Sequence, residues 1–294
     1  MDNRLSKILQ EHMRDMAKIG TMATEYTSAL ARIGNAAAER YAKLNKAFQP
    51  YLDLTQFTQS FANIQSGILK TEEDIKVFKV AIVELGYPPH DGMAIGNMRA
   101  IAELYLDDKK ELEDNIDEIM THLYNASELK EILLFWEETK LVKKRLPLLR
   151  NAIMAHNLGM YDLVVPSIIS QMEGLLVDTF HVKGRVDGTI QKVMLKNLLL
   201  KDESISSFSF DETIHEYFSD NVLASFEHGK QLGTDLSRHA ILHGSDTGFG
   251  KRTVSLKAIL LFDYLVSASI KVKDDVIQEC KREIAGIRRR KRKY

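Results

Sequence analysis

The chain contains very little cysteine and has no long hydrophobic run. Its single cysteine, Cys280, excludes an internal disulfide framework and a zinc site built on several thiolates. The low cysteine count fits a protein of a reducing compartment. Charged residues interrupt every apolar run well before membrane-spanning length, and the first 15 residues include no uninterrupted apolar core. We therefore expect a cytoplasmic protein that is neither exported nor inserted into a membrane.

Proline is also scarce, with five residues in 294, whereas Ala, Leu, Lys, Glu, Met and Ile recur throughout. These six residue types are good or acceptable helix formers, and a chain with 45% apolar residues can bury a core. The composition predicts an all-α protein, built as a helical bundle.

Three segments differ in pattern, and we divide the chain at residues 70 and 144. In the first segment, 1–70, apolar residues recur at three-and-four spacing from Leu5 to Phe48, just before Pro50. This spacing predicts one long amphipathic helix. Its apolar stripe needs a partner, which is either another helix of the same chain or the same helix of a second copy.

The second segment, 71–144, is strongly acidic. Residues 71–138 include 17 Asp or Glu against six Lys or Arg. Such a helical region would repel a phosphate backbone. It is predicted to be a solvated helical face, with a surface for a basic partner as the alternative.

The third segment, 145–294, begins with a predicted helical hairpin. One helix runs to about Leu158, Gly159 forms its C-cap, and a second helix follows. Its predicted inner positions are Leu163, Val164, Ile168, Ile169, Met172 and Leu176. Further on, an apolar helix over 255–268 is expected to continue in charged form to residue 290.

Between these helices lies the stretch SRHAILHG, residues 237–244, which concentrates polar groups on a short helix. His239 and His243 are four residues apart, a spacing that can bind a metal. However, the stretch has no HExxH glutamate, no cysteine pair and no third ligand near by in sequence. We therefore predict neither a metal site nor a cofactor.

Arg238 and His243 together suggest a different chemistry. An arginine can hold phosphate oxygens bidentately, and a histidine can exchange a proton with a ribose hydroxyl or a leaving oxygen. Five positions on a helix rotate two side chains by about 140°, so the two do not lie in one row. Either Gly244 ends the helix at His243, or a second copy of the chain supplies the opposing groups across a two-fold axis.

This stretch resembles the R-x4-6-H motif of the HEPN superfamily, in which the residue after the arginine is commonly polar, as His239 is here. The resemblance extends over about residues 145–270, from RLPLLRNAIMAHNLGMYDLVVPSIISQMEGLL to the apolar helix after the motif. These parts are similar to the two halves of bacterial HEPN-like proteins.

The resemblance implies a C-terminal HEPN-like bundle that forms a homodimer or higher homo-oligomer and cuts RNA without a metal, as a toxin or antiphage effector. It implies that Arg238 binds the scissile phosphate, that His243 is the acid or base, and that His239 assists. In some family members an antitoxin modifies a tyrosine two residues after the histidine. Ser245 stands at that place here, which puts this mode of control by a partner protein in doubt.

Two further features are candidates for the same site. Glu173 stands on an otherwise apolar helix, where a carboxylate usually has a partner, so it belongs either to the site or to a structural ion pair. The basic tail could contact an RNA backbone, end the last helix, or act as a solubilising end. Its residues are Arg288, Arg289, Arg290, Lys291, Arg292 and Lys293.

The sequence thus leads to a first hypothesis of a metal-independent endoribonuclease with a composite dimer site. The alternative from another class is a non-catalytic helical module that senses or recruits a partner. A metal-dependent hydrolase is the third hypothesis.

Overall fold

The computed structural model describes residues 70–201, 208–230 and 232–291. Every regular element in these ranges is a helix, which confirms the predicted all-α class. The helix predicted over residues 5–48 and the tail residues Arg292 and Lys293 lie outside the described ranges.

The α-helices follow one another with short connections. In chain order they are α1 (described over 70–84), α2 (Ile95–Asp107), α3 (Lys109–Leu123), α4 (Ala126–Glu138), α5 (Leu146–Asn157), α6 (Tyr161–Thr179), α7 (Gly188–Leu199), α8 (Asp211–Tyr217), α9 (Arg238–Leu242), α10 (Arg252–Ser269) and α11 (Asp274–Lys291). A 3₁₀ helix, Lys140–Arg145, leads into α5, and a π-helical turn, Phe218–Val222, follows α8.

Helices α6 and α10 form the centre of the bundle. α10 is buried over residues 254–266 without a break, including the charged residues Lys257 and Asp263, as expected of a helix surrounded by others. It packs along α6, which also packs against α5. The main core includes residues from both the acidic and the third segment, such as Phe78, Trp136, Ile168 and Phe262.

A second, smaller core joins the end of α6 to α7 and α11. It is built from Leu176, Phe180, Ile190, Met194, Cys280 and Ile284. This core holds α11 against α7 and so sets the position of the basic C-terminal end of α11.

The predicted hairpin is confirmed in outline but not at one inner position. Gly159 has φ +79° and ends α5, as expected of a glycine C-cap. Leu163, however, is 56% exposed, so its assignment to the inner face is wrong. At about 100° per residue, Leu163 lies almost opposite the centre of the stripe that buries Val164, Ile168 and Met172.

The single helix predicted from residue 255 to residue 290 is also wrong. α10 ends at Ser269, and α11 begins at Asp274 at an angle of 109°. The two helices differ in burial, since α10 must be covered on all sides whereas α11 has one apolar stripe. Asp274 and Asp275 in the first turn of α11 favour a new helix start there.

Among the described helices, none is by itself long and apolar enough to cross a membrane. α10 and α11 meet that criterion as a pair on length and composition alone, with the bend of 109° between them.

Candidate functional site

The motif helix α9 is short because both of its ends are specified by the sequence. Ser237 is the N-cap, where its hydroxyl accepts from the Ala240 N–H at 3.3 Å and donates to the Ala224 carbonyl at 3.1 Å. Ala240 and Ile241 are buried and anchor the helix to the core. Of the remaining side chains of α9, Leu242 is exposed, and Arg238 and His239 are partly buried.

Gly244 ends the helix directly after His243, as predicted. Its φ is +72°, and its N–H donates to the Ile241 carbonyl at 3.1 Å. A Cβ at Gly244 would meet nothing within 4 Å, so the backbone conformation and not space requires glycine here. His243 is the C-cap residue and its side chain is exposed.

Arg238 and Glu173 form an ion pair between α9 and α6. The guanidinium Nη2 lies 2.5 Å from Glu173 Oε2, and the side chains are only 21% and 26% exposed. Gln191, in the first turns of α7, donates its amide to the same carboxylate oxygen. Three helices meet at Glu173, and the sequence-based expectation that this carboxylate has a partner is confirmed.

His239 and His243 lie side by side on the outer face of α9. Their rings are nearly parallel, at 8°, with centroids 6.1 Å apart. Burial lowers the pKa of His239 below its usual value, and the nearby charges of Arg238 and then His243 act in the same direction. His239 is therefore disposed to be neutral at physiological pH.

Two residues that the sequence analysis did not select complete a cluster of rings. The Phe226 ring stacks against His243 with centroids 6.0 Å apart and planes at 21°. The rings of His228 and Phe226 are nearly perpendicular, at 81°, with centroids 5.0 Å apart. We call Phe226, His228, His239 and His243 the ring cluster. The only signal for it in the sequence is that FEH, residues 226–228, lies within about ten residues of the motif.

The structure does not pair Arg238 with His243. The hydrogen bond and ion pair of Arg238 go to Glu173, whereas the ring contacts of His243 go to His239 and Phe226. This agrees with the rotation of about 140° expected for five helical positions. Within one chain, Arg238 and His243 therefore belong to two neighbouring sets of contacts.

Part of the basic tail is bound to the chain itself. Arg288 donates to the carbonyls of Lys183 and Arg185, and Lys291 pairs with Asp187 at 2.6 Å. Arg289 and Arg290 are exposed at the end of α11. Up to Lys291, then, the tail is the positively charged end of the last helix, one of the three interpretations left open by the sequence.

The basic end of α11 and the candidate site both contact α7. Asp187, which holds Lys291, is the N-cap of α7, and Gln191, which holds Glu173, is four residues further on. Four residues of helix span about 6 Å. Lys291 and the pair formed by Glu173 and Arg238 therefore contact side chains of α7 that are about one helical turn apart.

Other polar clusters of the molecule are less accessible. His90 lies between Asp263 at 2.9 Å and Tyr124 at 3.1 Å, an arrangement like a hydrolytic triad, but its ring is only 3% exposed. His156 contacts Ser255 at 2.7 Å, and Ser255 is fully buried. Neither serine nor imidazole can meet a substrate there.

A surface pocket of about 410 Å³ lies away from the motif, with Lys201, Asp211, Tyr264 and Lys271 among its lining residues. In the part of the chain that the structure describes, no three His, Cys, Asp or Glu side chains are placed to hold a metal ion.

Comparison with known proteins returned no match: no family model, no curated protein and no solved structure is significantly similar to this chain.

Proposed function

We propose that the protein is a metal-independent endoribonuclease of the HEPN type that acts as a toxin or antiphage effector. The observation that supports this most is the arrangement on α9 and its C-cap, where a fixed, partly exposed arginine and two stacked imidazoles lie within six residues of chain. An arginine for the phosphate and imidazoles for proton transfer are sufficient for RNA cleavage without a metal.

In the proposed reaction, the ribose 2′-oxygen forms a bond to phosphorus while the bond from phosphorus to the 5′-oxygen breaks. A base takes the 2′-proton, and an acid gives a proton to the leaving 5′-oxygen, so that a 2′,3′-cyclic phosphate remains. His243 is exposed and performs one of these transfers. His239, whose lowered pKa favours the neutral ring, is suited to orient the attacking hydroxyl or to accept its proton.

Arg238 would stabilise the charge that develops on the phosphate oxygens. Glu173 holds one Nη atom and so fixes the plane of the guanidinium, which has five N–H donors in all. A second copy of the chain would bring its own Arg238 and His243 to the same cleft, since one exposed histidine cannot be acid and base in a single step. The positive end of α11, which contacts α7 as the candidate site does, would attract the RNA backbone.

One observation favours the non-catalytic alternative. Arg238 is already neutralised by Glu173, and the carboxylate is held a second time by Gln191, as in a structural ion pair that ties α6, α7 and α9 together. In that case the chain is a helical module, and the acidic helices α1 to α4 are its surface for a basic partner.

Incubation of the purified protein with assorted RNAs in EDTA separates these functions. We expect wild type to cut RNA and His243→Ala to cut at least about 100-fold more slowly, the usual contribution of acid–base catalysis. Because His243 is exposed, this variant should fold normally. Arg238→Ala should also cut at least about 100-fold more slowly, since it lacks the group that stabilises charge on the phosphate.

Matched controls are available in the same chain. His122→Ala removes another exposed histidine, and Arg150→Ala removes another arginine that is ion-paired, here with Glu137. Both should cut like wild type. The nuclease proposal is refuted if wild type leaves RNA intact, or if the Arg238 and His243 variants cut RNA as fast as wild type. Cutting that occurs without EDTA and stops when EDTA is added would indicate a metal-dependent hydrolase.

The shared cleft has a separate test. The mass of the protein in solution at micromolar concentration should be that of a dimer or a larger oligomer. A strict monomer, both alone and with RNA present, would remove the composite site.

A further inference from the structure

Phe226 has no role in the proposed chemistry, although it contacts the histidine that does. It lies in the segment 223–230, which follows the π-helical turn and has no regular secondary structure. This segment is fastened to the start of α9 by the hydrogen bond from Ser237 to the Ala224 carbonyl. A second hydrogen bond, from the Thr234 hydroxyl to Asn221 Oδ1 at 2.8 Å, joins residues on either side of the segment.

Packing does not account for the position of Phe226. Its ring is half-buried and belongs to neither of the two hydrophobic clusters of the described residues. Its ring contacts are His243 and His228, both of which are exposed. Phe226 is thus partly exposed beside two exposed imidazoles, where a ligand at the surface can reach it.

The nearly parallel planes of these rings favour a flat ligand. The planes of His239 and His243 differ by 8°, and those of His243 and Phe226 by 21°, so three flat groups are almost parallel. Aromatic side chains stack well on nucleobases, and they do so with any base because every base has a π face. A base and its phosphate belong to one nucleotide, so a base on Phe226 brings a phosphate close to His243.

We propose that Phe226 is a stacking platform for a nucleobase of the RNA strand, next to the phosphate to be cut. The proposal rests on the ribonuclease function proposed above and adds a positioning residue to it. The platform reads no particular base; it orients the nucleotide so that its 2′-hydroxyl or its 5′-oxygen faces the imidazole of His243.

The test measures binding separately from cleavage. The probe is a fluorescent single-stranded RNA with 2′-O-methyl groups throughout, which removes the attacking hydroxyl, and anisotropy gives its Kd. Phe226→Ala should weaken binding by about 5- to 150-fold, the usual loss for one stacked base. Phe226→Trp should bind as well as wild type or more tightly.

Phe226→Leu separates stacking from packing, because leucine keeps most of the apolar volume and lacks the π face. We expect it to bind as weakly as the alanine variant. Phe208→Ala, which removes another partly exposed phenylalanine that is outside the ring cluster, should have no effect. Thermal unfolding of each variant checks that the fold is kept.

The outcomes distinguish the platform from the function on which it rests. If wild type cuts RNA and Phe226→Leu binds the probe like wild type, the platform is refuted and the nuclease stands. If wild type neither binds the probe nor cuts RNA, the nuclease proposal fails and the platform fails with it.

Discussion

His156 shows how burial decides what a histidine in this chain does. It is 4% exposed on α5, its Nδ1 lies 2.7 Å from the Ser255 hydroxyl, and Tyr161 meets its ring edge-on. Burial lowers the pKa of His156 to about 4, and the charge of Arg252 contributes in the same direction. His156 is thus a neutral hydrogen-bonding group of the core.

A pH dependence of stability follows from this lowered pKa. Because the pKa in the folded state is below the unfolded value of 6.5, the contribution of His156 is complete above that pH and declines as the pH falls toward 4. Between pH 7 and pH 5 wild type should lose about 2 kcal/mol of its free energy of unfolding through this residue.

Urea unfolding at the two pH values measures this loss, and His156→Asn provides the comparison. The asparagine variant is less stable at pH 7 but should lose about 2 kcal/mol less than wild type on acidification. Equal losses in the two proteins would show that the ring is not held neutral.

Two helical glycines, Gly174 and Gly286, have opposite surroundings. A Cβ at Gly174 on α6 would come within 2.5 Å of Arg145 Nη2, whereas one at Gly286 on α11 would meet nothing within 4 Å. Arg145 is itself buried and bound to Asp178 at 2.7 Å, so it cannot simply turn away. Gly174 thus makes room for a buried cation beside α6.

Alanine substitutions at these glycines should therefore have opposite effects. Gly286→Ala should raise the free energy of unfolding by about 0.5–1 kcal/mol, since alanine is the better helix former. Gly174→Ala should lower it by about 1–3 kcal/mol, because the overlap displaces Arg145 from Asp178. Denaturant unfolding followed by far-UV circular dichroism measures both, and a stabilised Gly174 variant would contradict the close approach.

The ends of α9 can be predicted from the sequence, whereas the start of α11 cannot. α9 ends where the sequence predicts, since a serine N-cap and a glycine in the left-handed conformation are local signals. α11 was predicted as a continuation of α10, because both segments are helical and the bend at residues 270–273 carries no proline or glycine. The separate cores of α10 and α11 produce that bend.

Across the whole molecule, a buried polar network connects distant parts of the chain. Asp263 on α10 accepts hydrogen bonds from Trp136 on α4 at 2.6 Å and from His90 at 2.9 Å. His90 also contacts Tyr124, at the end of α3. The partners come from segments up to 173 residues apart, so the network forms only when the bundle closes.

Loss of Asp263 should destabilise the whole protein. Asp263→Ala leaves the buried N–H groups of Trp136 and His90 without acceptors, and we expect a cost of about 3–5 kcal/mol. Asp114→Ala, which removes an exposed carboxylate of α3, should change stability by less than about 0.5 kcal/mol. Near-UV circular dichroism of Trp136 and thermal unfolding would both report the difference, and a small loss at Asp263 would exclude a structural role for the network.

The amino-acid sequence by itself determined the all-α class, the hairpin with its break at Gly159, and the end of α9 at Gly244, because these follow from helix propensity, periodicity and backbone conformation within a few residues. It also indicated that Glu173 has a partner. Only the tertiary structure decided that this partner is Arg238, 65 residues away, and that Phe226 stacks on His243. Such pairs depend on how distant helices approach one another in space, and the sequence of one chain does not encode that approach in any local pattern.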